Sequence, residues 1–229
     1  MNDALRRSAA HVFVDQLDGG HLEPDDAHHL VKVLRIRESD VISVSDGRGS
    51  WATATLRPDG ELGLLEGPHF VPAPTHRLGV AFVPVKGEKP ELVVQKLTEI
   101  GIDDIYPLAP TAYSVVKWEA DRAEKHHVRL AKVAREAAMQ SRRVWLPEVH
   151  RVQILANLMA DHTVAFAEPG GALLDASHHL VVVGPEGGFS HEELHGAPAT
   201  VSLGESVLRA ETAAIVAGTL MVSLRGGER

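Results

Sequence analysis

The sequence predicts an α/β protein in which a small β-rich domain precedes a larger domain built on a parallel sheet. Short β-branched runs separated by glycine and aspartate turn signals fill residues 11–70, which indicates a β-rich unit. From residue 78 onward, strand-like and helix-like patterns alternate, which is typical of a parallel sheet covered by helices. Two late strand-like runs each lead into a glycine-bearing loop, the place where α/β folds bind ligands.

Composition limits the class of protein. The 229 residues are 44% hydrophobic and 24% charged, which is typical of a globular protein of one or two domains. No apolar run approaches the about 18 residues of a membrane span, and the first residues lack the apolar core of a signal peptide. The chain has no cysteine, so we expect a cytoplasmic protein without disulfides or membrane association. The formal charge of −8 means that an RNA partner would need a local basic surface.

The first domain, residues 1–70, is expected to combine strands with one short helix. A helix over 24–34 is predicted because Ala27, Leu30 and Leu34 fall on one face. The Asp-Gly-Arg-Gly turn at 46–49 predicts a hairpin. The predicted strands cover 11–14, 41–45, 51–56 and 61–65. A proline-rich segment at 67–74 marks the boundary, which predicts a linker at 71–77 and a second domain at 78–229.

The second domain is predicted to alternate strands with helices. The strands are expected at 78–85, 102–108, 163–167, 179–183 and 201–203, and the helices at 91–100, 119–143, 152–160 and 207–224. Gly101 is placed to end the first helix, and Lys96 with Glu99 predicts an ion pair on it. Basic residues recur every three or four positions along 122–135, which suits an RNA backbone but equally a solvated helix face.

The two glycine-bearing loops carry the strongest functional signal. The run at 179–183 ends in Gly-Pro-Glu-Gly-Gly at 184–188, whose glycines permit positive φ and close approach of the backbone to a ligand. Ser190, with Glu193 three residues later, predicts a capped helix start. The second loop follows 201–203 and leads into an alanine-rich helix. Neither loop has the spacing of a Rossmann or Walker phosphate loop.

This pair of motifs, Gly-Pro-Glu-Gly-Gly and Leu-Gly-x-x-Val-Leu-Arg-x-Glu-Thr-Ala from Leu203, resembles the 16S ribosomal RNA uracil-N3 methyltransferases, a branch of the SPOUT superfamily. The resemblance extends over nearly the whole chain. It implies a PUA-like β-barrel that holds RNA, followed by an α/β domain with a C-terminal trefoil knot in which three strand-end loops, including Glu-Pro-Gly-Gly at 168–171, wrap the cofactor. It also implies S-adenosylmethionine as cofactor, a homodimer, and 16S ribosomal RNA in the assembled small subunit as partner.

The same resemblance assigns roles to particular residues, and none of them is a metal ligand. The implied cofactor-binding residues are Glu168, Gly184, Pro185, Glu186, Gly187, Gly188, Leu203, Gly204, Val207 and Leu208. The implied catalytic residues are Arg143, Arg209 and Glu211, and the RNA-binding candidates are Lys32, Arg35, Arg37, Arg48, Gln140 and Ser141. The Gln-Ser-x-Arg signature at 140–143 is followed by Val144 and Trp145, where the family often has Asn-Arg, so no second arginine contact is predicted there.

The chemistry of the reaction explains why such residues are needed. The N3–H of uracil is a weak acid and its neutral nitrogen a poor nucleophile, so catalysis requires proton removal or stabilisation of charge on O2 and O4. Arg143 or Arg209 could stabilise that charge, while Glu211 could be a base or simply a carboxylate that complements the helix dipole. Leu203 and Leu208 could sandwich the adenine. The target base must also leave its stack.

Three alternatives stay open at this stage. The protein could be a SPOUT methyltransferase that acts on another RNA base, because the two motifs indicate the superfamily more firmly than the uridine. It could be a catalytically silent RNA-binding module, although intact cofactor loops speak against that. It could be a zinc peptidase, because residues 191–195 fit H-E-x-x-H; however, the segment between Ser190 and Gly196 is hardly longer than one helical turn.

Overall fold

A computed structural model describes residues 2–18, 22–118 and 120–226, and of residues 120 and 121 it describes the backbone but not the side chains. Glu119, the predicted first residue of the long helix, lies outside the described residues, as do residues 1, 19–21 and 227–229 of the two predicted domains. The chain divides into two compact units. The first comprises Met1–Pro74 and Glu136–Leu146, and the second comprises Thr75–Arg135 and Pro147–Arg229.

The first unit is built on a mixed four-stranded sheet in the order β1-β2-β3-β4. Its elements are helix α1 (Asp3–Arg7), β1 (His11–Phe13), α2 (Pro24–His28) continued by a π-helical turn (His29–Val33), β2 (Ile42–Ser45), β3 (Ser50–Leu56) and β4 (Leu62–Phe70). Strands β1 and β2 run parallel, and the other pairs are antiparallel. The predicted hairpin turn is present, since the Asp46 carboxylate accepts hydrogen bonds from the amides of Arg48 at 2.7 Å and Ser50 at 3.1 Å.

Strand β4 is longer than predicted, because it continues through the proline-rich segment to Phe70. Proline cannot donate to a strand ladder, but β4 is the last strand in the order of its sheet, where that donor is not needed. Gly67, at φ 117°, sits where the register of β4 against β3 shifts. A Cβ at this position would lie 3.0 Å from the Cβ of Ala52, so the close approach of the two strands requires glycine.

The first unit also contains a segment from far along the chain. Residues 136–146 were predicted to belong to the second domain, whereas in the structure they pack with the first unit. The amide of Gly49 donates to the carbonyl of Val144 at 2.9 Å, and that of Leu146 donates to Gly47 at 3.0 Å. Met139 adds to an apolar core that holds Val12, Val14, Leu30, Ile42, Val44, Ala52 and Ala54. The tip of the β2–β3 hairpin therefore has an additional backbone hydrogen-bonding partner that no local sequence pattern predicts.

The second unit is built on a six-stranded, fully parallel sheet in the order β10-β8-β9-β5-β6-β7. The strands are β5 (Gly79–Phe82), β6 (Asp104–Pro107), β7 (Glu148–Val149), β8 (Ala165–Leu173), β9 (Leu180–Val183) and β10 (Thr200–Ser202). The helices are α3 (Lys89–Ile100), α4 (Ala120–Gln140, whose last turn belongs to the first unit), α5 (Leu155–Asp161), α6 (His191–His195) and α7 (Ala210–Gly226). No described helix is both long and apolar enough to cross a bilayer.

Alternating side chains of the central strands fill two apolar cores, one on each face of this sheet. Val80 and Phe82 point to the core formed with α3, α4 and α7, while Ala81 points to the core formed with α5 and α6. Gly218 on α7 is needed for this packing, because a Cβ there would lie 2.7 Å from the side chain of Leu97 on α3. Burial on both faces explains why β9 is a continuous apolar run rather than an alternating one.

Two elements near the carboxyl end of the sheet differ from the prediction. Strand β8 does not stop at Ala167 but reaches Leu173, with residues 167–171 looping out between Phe166 and Ala172. Those two residues pair with consecutive positions of β10, so residues 167–171 form a large bulge inside the strand. Helix α7 begins at Ala210 rather than at Val207, whose side chain is 85% exposed.

Candidate active site

A pocket of about 470 Å³ lies in the second unit, next to the carboxyl ends of β9 and β10 and the bulge of β8. Its lining comes from residues 167–169, 183–189, 203–204 and 206–210, together with Ala213. These segments meet because the carboxyl ends of parallel strands lie at the same edge of a sheet. Every residue that the sequence analysis assigned to cofactor binding, from Glu168 to Leu208, lines this pocket.

The loop at 184–188 has no room for side chains at two of its glycines. A Cβ on Gly184 would lie 3.1 Å from the ring of Phe189, and one on Gly187 would lie 2.8 Å from the Cβ of Tyr113. Gly188 adopts φ 72°, and its amide donates to the carbonyl of Pro185 at 2.9 Å, which closes a tight turn. Glycine is therefore required at 184 and 187 by the close packing of Phe189 and Tyr113 against this loop, whose residues line the pocket.

Hydrogen bonds at the start of α6 fix this loop in place. The predicted capping box is present: the Ser190 hydroxyl accepts from the amide of Glu193 at 3.2 Å, and the Glu193 carboxylate accepts from the amide of Ser190 at 2.7 Å. The second carboxylate oxygen of Glu193 accepts from the amide of Ala112 at 3.1 Å. The loop after β6 is thereby tied to the pocket wall, which brings Tyr113 against Gly187.

The part of the pocket formed by the segment between β10 and α7 is mostly apolar. Leu203 and Leu208 are partly buried and pack against the core on the α3 and α7 face of the sheet. Val183 and Ala213 complete the apolar lining, and Gly204 at φ 146° turns the chain between β10 and α7. Apolar lining with a small number of polar groups is typical of a small-molecule site.

The three residues predicted to be catalytic do not all belong to the same unit. Arg209 lines the pocket, whereas Arg143 belongs to the first unit. Glu211 lies in the first turn of α7 and is not among the lining residues; one of its carboxylate oxygens lies 3.0 Å from the Lys89 ammonium. Burial alone would raise the pKa of Glu211, but its own backbone amide, Lys89 and Arg209 outweigh burial and hold the pKa below its usual range. A carboxylate held ionised in this way is a weak base, which favours the helix-charge role.

The predicted RNA-binding residues all fall in the first unit. Lys32, Arg35 and Arg37 are exposed, with Arg35 in the left-handed region at φ 54°. Arg48 projects from the β2–β3 hairpin with 73% of its side chain exposed. Ser141 donates its hydroxyl hydrogen to the carbonyl of Ala137 at 2.7 Å, so that hydrogen is engaged in the helix end. These residues share one unit although they come from two segments that lie far apart in the chain.

The basic face of α4 is partly neutralised within the second unit. Arg129 pairs with Glu91 at 2.9 Å and approaches Glu88 at 3.9 Å. Glu124, on the same helix, pairs with Arg151. The predicted ion pair on α3 is also formed, with the Lys96 ammonium 2.7 Å from Glu99. These contacts favour a solvated, ion-paired helix face over an RNA-binding stripe.

The H-E-x-x-H segment has no metal-site geometry around it. Helix α6 is only five residues long, and the rings of His191 and His195 lie 6.4 Å apart between centroids. Across the described ranges, the grouping of potential ligands with metal-like spacing is Asp104, Glu148 and His150, which does not include either histidine. Nothing in the described residues therefore favours a zinc peptidase.

Comparison with protein families identifies the class. A family model described as an RNA methyltransferase domain matches residues 72–222, and one described as an RNA methyltransferase PUA domain matches residues 22–61. The parallel sheet, its pocket at the strand ends and the separate mixed sheet thus have the organisation of an RNA methyltransferase.

Individual relatives agree with this class. The chain is 31% identical to "Ribosomal RNA small subunit methyltransferase E" of Bacillus subtilis, with 84% of this chain and 85% of that protein covered, and 30% identical to the protein of the same name from Mycobacterium bovis, with 86% and 83% covered. A probable rRNA-methyltransferase from Porphyromonas gingivalis has a similar structure, at a TM-score of 0.77 and 26% identity over 96% of this chain and 100% of that one. The chain therefore belongs to the RNA methyltransferase family that includes these small-subunit enzymes, which confirms the family predicted from the two motifs.

The same fold is found in a solved relative with its ligand. The ribosomal RNA small subunit methyltransferase E of Neisseria gonorrhoeae, bound to S-adenosyl methionine, superposes with a TM-score of 0.77 at 24% identity, covering 94% of this chain and 97% of that one.

Phe189, Ser206 and Ala213 also line the pocket here but were not singled out from the sequence. Phe189 directly follows the glycine loop, so its position in the sequence could have indicated it.

Proposed function

We propose that this protein transfers the methyl group of S-adenosylmethionine to N3 of one specific uridine in the 16S ribosomal RNA of the small subunit. The observation that carries the proposal is the pocket in which the loops of the two family motifs and the β8 bulge meet. Membership in a family whose named relatives methylate small-subunit ribosomal RNA supports the substrate.

The residues of the pocket fit this cofactor. A volume of about 470 Å³ lies in the range of small-molecule sites. The glycine loop lines the pocket and offers backbone polar groups to the cofactor, and Leu203 with Leu208 offers apolar surface for the adenine. When bound, the cofactor supplies an electrophilic methyl group; the role of the chain is to hold it in line with N3.

Arg209 is the residue that we assign to charge stabilisation within this unit. It lines the pocket, and a guanidinium stays protonated while offering paired donors to uracil oxygens as negative charge develops. Glu211 anchors the start of α7 through Lys89 rather than accepting the N3 proton, because its pKa is lowered. Arg143 is proposed to act on the RNA from the first unit.

The first unit is proposed to hold the RNA. Its match to a PUA domain and the exposed cations Lys32, Arg35, Arg37 and Arg48 support this assignment. Cations in one unit can bind phosphates even though the whole chain has a formal net charge of −8. The assembled small subunit is the proposed substrate, and the cytoplasm is the proposed compartment because that is where ribosomal subunits are modified in bacteria.

Two architectural features of the SPOUT superfamily are part of the proposal. A C-terminal trefoil knot is proposed because the two loop motifs at 184–188 and from Leu203 resemble those of that superfamily. A homodimer is supported by apolar side chains that remain exposed on two helices, Leu92 on α3 and Leu220 on α7.

The test is methyl transfer from labelled S-adenosylmethionine to small subunits that lack the modification, followed by nuclease digestion and mass spectrometry. We expect 3-methyluridine at one position. If a different nucleotide is methylated, the protein is still an RNA methyltransferase but the proposed uridine substrate is wrong. If the protein does not bind the cofactor, it is a catalytically silent RNA-binding module. Gly187→Ala should abolish transfer because of its contact with Tyr113, whereas Gly196→Ala, which meets nothing closer than 3.6 Å, should not.

A further inference from the structure

A buried histidine connects the sheet of the first unit to the turn that follows α4. His11 on β1 is 4% exposed. Its Nδ1 lies 2.8 Å from the hydroxyl of Ser43 on β2, and its Nε2 lies 3.0 Å from the backbone carbonyl of Arg143. Both ring nitrogens are therefore engaged, one by the sheet and one by a residue more than a hundred positions away in the chain.

The partners of His11 determine where its proton is. A carbonyl oxygen only accepts, so Nε2 must carry the hydrogen that is donated to Arg143. Burial lowers the pKa of His11 to about 4, so the ring is neutral at physiological pH and Nδ1 is an acceptor. Ser43 must then donate its hydroxyl hydrogen to Nδ1, and the sheet thereby fixes the tautomer that can hold Arg143.

The turn that His11 holds has an unusual backbone. Arg142 has φ 55° and is one of two non-glycine residues with positive φ in the described chain, a conformation that is strained for a residue with a side chain. Its guanidinium donates to the carbonyl of Ser8 and, at 3.3 Å, to the Ser8 hydroxyl. The hydroxyl oxygen of Ser8 lies 2.9 Å from the hydroxyl oxygen of Ser43. The hydrogen-bond network that fixes the tautomer of His11 therefore also offsets the strain of the turn.

We propose that His11 is a positioning residue: by holding the carbonyl of Arg143 from the sheet, it fixes the turn that presents the Arg143 side chain to the RNA. This inference rests on the proposed function, because it makes the first unit responsible for aligning a residue of the Gln-Ser-x-Arg signature. His11 itself need not touch the substrate. It acts only through the backbone of Arg143, and the pocket for the cofactor contains neither residue.

The test compares His11→Phe, which keeps a ring but loses both hydrogen bonds, with Ile42→Val, a mild change in the apolar core of the same unit. We expect His11→Phe to lower kcat/KM for the RNA about tenfold, because the buried hydrogen bond that holds the Arg143 carbonyl is lost, with cofactor affinity unchanged. In an Arg143→Ala background the same substitution should change kcat/KM less than about twofold, because coupled residues are not additive. His11→Gln, which retains a donor, should recover most of the loss.

A tenfold loss that persists in the Arg143→Ala background would overturn the proposal, as would a His11→Phe enzyme as active as Ile42→Val. If His11→Phe does not fold, Ser43→Ala carries the same comparison, since it removes the donor that fixes the tautomer. Hydrogen exchange separates this inference from the proposed function. The Arg143 amide, which donates to Ala138 at 2.9 Å, should exchange about tenfold faster in His11→Phe, and unchanged exchange refutes the inference even if the protein methylates no RNA.

Discussion

Gly171 offers the sharpest test of the pocket, because the β8 bulge depends on it. A Cβ at this position would lie 2.7 Å from the backbone nitrogen and carbonyl carbon of Val201 and 2.8 Å from that of Thr200. Backbone atoms of a paired strand cannot move aside as a side chain can, so β8 and β10 would have to separate. Overpacking of this kind costs about 1–3 kcal/mol, and we place Gly171→Ala near 3 because the obstacle is backbone.

The neighbouring glycine provides a matched control. Gly170 has φ 84° and no atom within 4 Å of its Cβ position, so Gly170→Ala should cost only the backbone strain of about 1 kcal/mol. For a chain of this size, about 1 kcal/mol shifts the melting temperature by roughly 2–4 °C. Gly171→Ala should therefore melt roughly 6–12 °C below the wild type and Gly170→Ala roughly 2–4 °C below it.

Thermal melting followed by circular dichroism and calorimetric binding of S-adenosylmethionine would check this prediction. Gly171→Ala should also weaken the binding of S-adenosylmethionine at least about tenfold, because Glu168 and Pro169 on the same bulge line the pocket. Equal melting temperatures for the two variants, with wild-type affinity in both, would refute the packing of the bulge against β10.

Three further predictions concern the same unit. Ser190→Ala should lower the free energy of unfolding by about 1 kcal/mol, measured by urea titration, because the amide of Glu193 loses its cap; no loss would contradict the capping box. Leu208→Ala should weaken S-adenosylmethionine binding about tenfold in calorimetry through lost apolar contact, without changing which nucleotide is methylated. Glu211 has a pKa in the folded protein below its ordinary 4.5, so its ion pair with Lys89 stabilises the fold above that pH and is lost as the pH falls through the folded value. The difference in stability between wild type and Glu211→Gln should therefore be present at neutral pH and vanish in acid. The pH–rate profile of the variant should be unchanged.

Local sequence patterns predicted most of the elements but not their ends. Strand β9 and the cap at Ser190 were recognised because each depends on neighbours a few residues away. The start of α7 was placed three residues too early, since an apolar Val207 continues the helical pattern although its side chain is exposed in the structure. The extension of β4 to Phe70 was missed because proline is tolerated only at an edge, and whether a strand is an edge depends on the assembled sheet.

By itself, the sequence determined the family, the order of strands and helices in the second unit apart from the short strand β7, and the residues assigned to cofactor binding, all of which line the pocket. It could do so because parallel strands bring their carboxyl ends to one edge, so that loops after successive strands are neighbours wherever the rest of the chain goes. The tertiary structure alone decided that Glu136–Leu146 joins the first unit, that Lys89 meets Glu211 and that His11 holds the carbonyl of Arg143. These contacts join residues far apart in the chain, and their formation depends on packing between complete elements, which no short window of sequence records.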